Sequence, residues 1–153
     1  MRTILFILFF IFTAAISNAQ TIYPYQDIKL EKPADYKGTE SLALSAATFL
    51  LTTPFLEADK NRGNTLKFLN DWMSGTKEYQ FYFQGKASDI SFERNLLSLY
   101  IAAMAKYSLE NKTESVNPMK VDLNASRLVL AYCDDPKNNF KLKKKYRKIL
   151  ETN

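Results

Sequence analysis

Apolar residues follow a helical period between positions 91 and 109, and the other predicted elements are best arranged around this segment. At 3.6 residues per turn, one broad arc collects the apolar side chains Phe92, Leu96, Leu97, Leu99, Tyr100, Ile101, Ala103, Met104 and Tyr107. The opposite side is mostly polar, as at Arg94, Ser98 and Lys106. Because so wide an apolar arc must contact several neighbours, the pattern predicts a helix at the centre of a bundle.

Four further segments show helical spacing. They cover about 39–51, 64–73, 122–133 and 139–150. Residues that typically end helices stand just beyond three of them: Pro54, Gly75 and Pro136. The sequence therefore predicts an all-α fold, a small single-domain bundle of four or five helices.

The segment 78–84 has an ambiguous pattern. Tyr79, Phe81 and Phe83 alternate with polar residues, which is typical of a strand. Tyr79, Tyr82 and Phe83 also fit helical spacing. A strand would need a partner to pair its backbone groups, and the N-terminal leader is one option. We predict a short extended or strand segment here.

Residues 1–19 have the features of a secretory signal peptide. Arg2 precedes an apolar run over 4–16, and Ser17 and Ala19 place small residues at the two positions that a signal peptidase reads. Cleavage is predicted after Ala19, which would place the mature chain in the periplasm or outside the cell. The alternative is an uncleaved anchor, but the apolar run is shorter than the roughly 20 residues of a membrane span. No later segment is apolar for long enough to be a transmembrane helix.

The mature chain is predicted to comprise an irregular leader over 20–37 and a helical domain over 38–153. Pro24 and Pro33 argue against a regular central strand in the leader, which could form a strap across the bundle or a short edge strand. Cys133 is the only cysteine, so no intramolecular disulfide is expected, and its helical face favours burial over reactivity.

The composition excludes several kinds of reaction centre. The chain has no histidine, which removes the commonest general base, the Ser-His-Asp and Cys-His designs, and histidine-based zinc sites. Its 4 glycines are too scattered to form a phosphate-binding loop. The pair Asp134-Asp135 is followed by proline and reads as a helix-ending turn. We therefore predict no catalytic residue, no metal site and no cofactor, and expect that the protein is not an enzyme.

Positive charge is concentrated at the C-terminus. Beyond Pro136 the chain carries seven basic residues and one acidic residue, and the net charge of the whole chain is +5. The predicted C-terminal helix is amphipathic, and its candidate interaction residues are Lys141, Lys143, Lys144, Lys145, Arg147 and Lys148. They predict binding to a partner protein or to an anionic envelope surface. Export and the absence of a nucleic-acid-binding motif argue against nucleic acid. The structural alternative is a packed helix with a solvated lysine face.

An aromatic groove is the rival hypothesis. It would be formed by Trp72, Tyr79, Phe81, Phe83, Glu93 and Tyr100. Ligand pockets are mostly apolar with a few polar groups, so this set would suit a small-ligand-binding protein or a hydrolase based on carboxylate and tyrosine. The structural alternative places the aromatic rings in the core. Glu93 could equally be an acid satisfied by a helix N-terminus.

Overall fold

The computed structural model describes residues 25–152, and regular structure over this range is entirely helical. Seven α-helices are present there: α1 (Pro33–Gly38), α2 (Glu40–Thr52), α3 (Lys60–Gly75), α4 (Lys86–Asp89), α5 (Arg94–Glu110), α6 (Pro118–Asp134) and α7 (Lys144–Glu151). Two 3₁₀ turns cover Tyr25–Asp27 and Pro136–Asn138. The predicted all-α class is confirmed, and the helix count exceeds four or five because of the short α1 and α4. The predicted signal peptide over 1–19 lies outside the described residues.

The helix α5 forms the centre of the bundle. Every residue from Leu99 to Ala105 is buried, so α2, α3 and α6 cover this part of α5 on all sides. On α2, the facing residues Ala43, Ala46, Ala47 and Leu50 are spaced for one helix face. The three alanines are small enough to let α2 approach its neighbours closely, and the predicted central position of α5 is confirmed.

Phe92 differs from its predicted place. The helix begins at Arg94, because Ser91 and Glu93 donate backbone hydrogen bonds to Ser88 and Ile90 and so form a turn. Phe92 therefore lies before the helix and is 91% exposed, whereas Ile90 is fully buried and supplies the apolar contact. The prediction that Phe92 belongs to the apolar arc is wrong because turn hydrogen bonds prevail over apolar periodicity there.

The boundaries of α3 and α7 also differ from the sequence prediction. Asp59 caps α3 by accepting a hydrogen bond from the Asn61 amide at 2.8 Å, so the helix begins at Lys60 and not near 64. Asn139 adopts a left-handed conformation with φ of 54° after the second 3₁₀ turn. This residue redirects the chain, and α7 begins only at Lys144.

The segment 79–84 is irregular, and the predicted strand is absent: no strand forms within 25–152. Tyr79 is buried and Phe81 half-buried, whereas Tyr82 and Phe83 are exposed. The described part of the leader, 25–37, offers no pairing strand, because it takes up a 3₁₀ turn and most of the helix α1 instead.

The described part of the leader lies as a strap against α3. Tyr25 stacks on Phe68 with ring centroids 4.7 Å apart, and the Trp72 indole Nε1 donates to the Tyr36 carbonyl at 2.9 Å. The Tyr36 ring occupies the space where any side chain at Gly75 would begin. Gly75 is the last residue of α3 and does not have positive φ. Its role is therefore to admit Tyr36; it is not the left-handed glycine that commonly follows the end of a helix.

Candidate binding site between α4, α6 and α7

The six residues of the predicted aromatic groove do not line a common cavity. Trp72, Tyr79 and Phe81 pack together, with ring centroids 5.6 to 6.4 Å apart, and the Trp72 side chain is fully buried. Burial also raises the pKa of the Tyr79 phenol. These three rings are part of the core, as the structural alternative holds.

The other three predicted groove residues lie apart from this cluster. Phe83 is half exposed on the irregular segment, and Tyr100 is buried in α5 beneath α6. Glu93 precedes α5 and accepts a hydrogen bond from the Lys143 Nζ at 2.6 Å. The Glu93–Lys143 pair lines a crevice of about 260 Å³ beside Phe140. Glu93 is thus the ion-pair partner of Lys143, one of the six candidate interaction residues near the C-terminus.

Two of the six basic candidates are neutralised by nearby carboxylates. The Lys143 ammonium pairs with Glu93, and the hydrogen bond raises the pKa of Lys143. The Arg147 guanidinium bonds to Asp134 and to Glu151, and its contact with Asp134 lowers the pKa of that carboxyl. Asp134 therefore fixes α7 to the end of α6.

The other four basic candidates, Lys141, Lys144, Lys145 and Lys148, are exposed and form no ion pair within the described residues. Of these four side chains, only that of Lys145 has a defined contact in the described range, with its Nζ 4.4 Å from the Tyr146 ring centroid. Tyr146 and Leu150 are buried on the opposite side of α7. The helix thus presents three lysines to solvent, and Lys141 lies exposed just before it.

A groove of about 830 Å³ lies between α4, α6 and α7. Its lining includes Tyr82, Lys86, Met119, Asp122, Leu123 and Ile149. Its rim carries two of the large apolar side chains that are exposed in the described chain, since Met119 is 77% exposed and Tyr82 is 47% exposed. Exposed apolar side chains around a concavity are typical of a binding surface.

Local sequence features fix the N-terminal ends of the helices α4 and α6, which meet at this groove. Gly85 has φ of 58°, a conformation that favours glycine, and it starts α4 so that Lys86 is the first helical residue. Asn117 caps α6 by accepting a hydrogen bond from the Met119 amide, and Pro118 occupies the first turn. Together these turns set the positions of Lys86 and Met119 on facing elements.

A hydrogen-bonded polar cluster forms the floor of the groove. The Lys86 Nζ lies 3.1 Å from Asp122 Oδ2 and donates to Ser126 Oγ at 3.2 Å. The Tyr100 hydroxyl donates to Asp122 Oδ1, and the Ser126 hydroxyl donates to the Asp122 backbone carbonyl at 2.9 Å. The Lys86 side chain is only 12% exposed. The cluster therefore joins α4, α5 and α6 through groups that satisfy one another.

The burial and hydrogen bonds of this cluster suit the positioning of α4, α5 and α6 better than a reaction. Ser126 and Lys86 are adjacent, as in serine–lysine nucleophilic pairs. However, Ser126 is buried, and its hydroxyl donates to the Asp122 backbone carbonyl, so its proton is directed away from Lys86. Burial raises the pKa of the Tyr100 phenol far above its usual range, which keeps its proton on the oxygen.

The chain matches no protein-family model, no curated protein and no solved structure. What the site does is therefore inferred from its own residues.

Sequence reasoning missed the groove, although part of the signal was present. Met119, Asp122, Leu123 and Ser126 are spaced for one face of α6, a mixed apolar and polar face beside a predicted buried helix. Nothing in the pattern showed that Lys86 would meet this face.

In the part of the chain that the structure describes, no group of acidic and cysteine residues is placed to bind a metal ion, and no helix has the length and apolar character to cross a membrane.

Cys133 provides a direct test of the packing of α6. It is half-buried against the core, and burial raises the pKa of its thiol to about 12. Because the thiolate is the reactive form, iodoacetamide is expected to alkylate Cys133 at least about tenfold more slowly in the folded protein than in urea. Mass spectrometry at mildly alkaline pH measures both rates. Equal rates would show an accessible, reactive thiol.

Proposed function

We propose that the protein is an exported, non-enzymatic binding module that binds an acidic partner protein through its C-terminal helix. The observation that carries the proposal is the uncompensated charge of Lys141, Lys144, Lys145 and Lys148 on and just before α7. A fixed cluster of positive charge attracts and orients a complementary acidic surface. Export is supported by the signal-peptide pattern over 1–19.

A partner protein suits α7 better than a membrane surface does. A helix that lies in the membrane interface inserts its own apolar face among the lipid headgroups. The apolar face of α7 is not free, because Tyr146 and Leu150 are buried in the bundle. Attachment to lipid would then depend on lysine charge alone, at about 1 kcal/mol for each residue near an anionic surface. That supports weak, reversible attachment only.

The rival function, a small-ligand-binding protein or a hydrolase that uses carboxylate and tyrosine, has less support. Asp122 and Tyr100 do lie together, but the raised pKa of the phenol opposes its use as a base. The carboxylate of Asp122 is already bonded to Lys86 and Tyr100. Both groups hold the floor of the groove in place, which favours a binding surface over a reaction centre.

The proposal is tested with a labelled acidic peptide of alternating Glu and Gly as the probe. Fluorescence anisotropy is expected to show binding that weakens as salt is raised. Substitution of Lys141, Lys144, Lys145 and Lys148 by Gln is expected to weaken binding about tenfold or more, since each exposed charge pair contributes about 0.5 kcal/mol.

The matched control removes the same charge elsewhere. Lys29, Lys37, Lys60 and Lys77 are exposed and outside the C-terminal helix, and their substitution by Gln is expected to leave affinity within about twofold. Equal losses in both quadruple variants would show a net-charge effect and reject α7 as the binding element. Vesicles containing phosphatidylglycerol that bind the wild-type chain and the control variant, but not the Lys141/Lys144/Lys145/Lys148 variant, while the peptide binds none of them, would favour an anionic lipid surface instead.

A further inference from the structure

We propose that the groove between α4, α6 and α7 binds an amphipathic helix of the partner, with its apolar face on the groove and its acidic flank against α7. This inference rests on the proposed function and specifies which surface of the partner is recognised. Its basis is the position of the groove, since Ile149 of α7 and Thr152, the residue that follows α7, line it directly. The lysine face and the groove therefore belong to one continuous surface.

The groove has the form that an incoming helix requires. One wall is formed by Met119 and Leu123, which are four residues apart on α6. The other is formed by Ile149 of α7 and by Thr152, the C-cap of this helix, which are three residues apart. Two helices packed side by side leave a groove between such rows, and a third helix can place its ridge of side chains there. The exposed Met119 is well suited to this, because its flexible side chain adapts to the shape of a partner.

The charge around the groove determines which side of the ligand is acidic. Lys145 lies four residues before Ile149 and Lys148 lies four residues before Thr152, and both lysines are exposed. They form the positive edge on the α7 side. Asp89 lines the α4 side and has no ion pair among the described residues.

The remaining charge in the groove is already balanced. Lys86 and Asp122 neutralise each other on the floor, so they neither attract nor repel a charged ligand strongly. An acidic flank is consequently attracted to α7 and repelled from Asp89, which fixes one orientation of the bound helix. A basic amphipathic helix would meet Lys145 and Lys148 with like charge.

The probe is a labelled model helix with a leucine face and a glutamate flank, compared with a peptide in which every Glu is replaced by Lys. Anisotropy titration of the full chain is expected to show tighter binding of the Glu peptide by at least about tenfold. The double variant Tyr82→Ser/Met119→Gln is expected to lose at least about tenfold in affinity for the Glu peptide. Both side chains are exposed, so their replacement leaves the core intact.

The control pair lies beside the test pair in the sequence. Phe83 is 50% exposed and Val116 is 81% exposed, and neither lines the groove. Phe83→Ser/Val116→Gln removes apolar surface of the same kind and is expected to change affinity less than twofold. Equal losses in the two double variants would reject the groove, because any exposed apolar surface would then serve.

The outcomes separate this inference from the proposed function. If Tyr82→Ser/Met119→Gln has no effect while Lys145→Gln/Lys148→Gln weakens binding, the groove inference fails and the charge-based function stands. If neither the Glu helix nor the Glu–Gly peptide binds, the proposed function fails with it. Displacement of the Glu helix by oleate at low concentration, with tighter binding of oleate itself, would overturn the helix ligand in favour of an anionic lipid.

Discussion

Replacement of Trp72 by alanine is expected to lower the free energy of unfolding by about 4 kcal/mol, since large aromatic-to-alanine changes in a core cost about 3–5 kcal/mol. Trp72 has no solvent exposure and contacts the rings of Tyr79 and Phe81. It also anchors the strap, because its indole N–H donates to the Tyr36 carbonyl. The cavity would therefore lie where α3, the strap and the irregular segment meet.

Urea unfolding followed by far-UV circular dichroism measures this loss, since Trp72 is the only tryptophan and its fluorescence disappears with the substitution. Phe92→Ala is the matched control. Phe92 is also aromatic but 91% exposed, and its substitution is expected to change stability by less than about 0.5 kcal/mol. A Trp72→Ala loss below about 1 kcal/mol would contradict the packing of Trp72 in the core.

The contrast between Trp72 and Phe92 shows what the sequence pattern could predict. Apolar periodicity reports which side of a helix is buried, and over a helix as long as α5 it identified the element that every long helix contacts. At a helix end apolar periodicity is a weak signal, because a single hydrogen-bonded turn before the helix can move a side chain from the buried face to solvent. Phe92 and the start of α7 at Lys144 were both misplaced for this reason.

The candidate site was less predictable than the fold, because it depends on which faces meet. The sequence identified the lysines of α7 as unusual, but Glu93 is 50 residues from Lys143 and Ser126 is 40 residues from Lys86. Single-sequence patterns carry no information on such pairings. They could not show that Lys143 is neutralised, or that Ile149 lies in a groove with Met119.

Replacement of Arg62 by methionine is expected to lower the free energy of unfolding by about 3 kcal/mol, through loss of buried charge-assisted hydrogen bonds. Arg62 is 7% exposed. Its guanidinium donates to the Leu50 carbonyl at 2.9 Å, and to the Thr53 carbonyl and hydroxyl at 3.1 and 2.8 Å. Arg62→Lys is expected to recover little, because a single ammonium does not match this fork of acceptors. Lys60→Met, at an exposed position of the same helix, is the control and should be nearly neutral.

Of the carbonyls that Arg62 bonds, the Leu50 carbonyl is the one left without a donor in the Arg62→Met variant. Within α2, the Leu50 carbonyl would receive its helical hydrogen bond from the residue four positions later, which is Pro54 and has no N–H. The Thr53 carbonyl keeps a second donor, because the Tyr132 hydroxyl bonds to it at 2.7 Å. Arg62 thus supplies the donor that Pro54 lacks.

This assignment predicts a rescue. Thr53 is extended, with ψ of 145°, so the amide that Pro54→Ala restores reaches the Leu50 carbonyl only when α2 extends by one residue. In the Arg62→Met background this extension is expected to recover up to about 1 kcal/mol, the usual net value of one hydrogen bond. In the wild-type background the same substitution is expected to give no gain, because Arg62 already satisfies that carbonyl. Urea unfolding of the four proteins measures the coupling between the two sites. Strictly additive effects would show that Arg62 stabilises the chain by filling space and not by terminating α2.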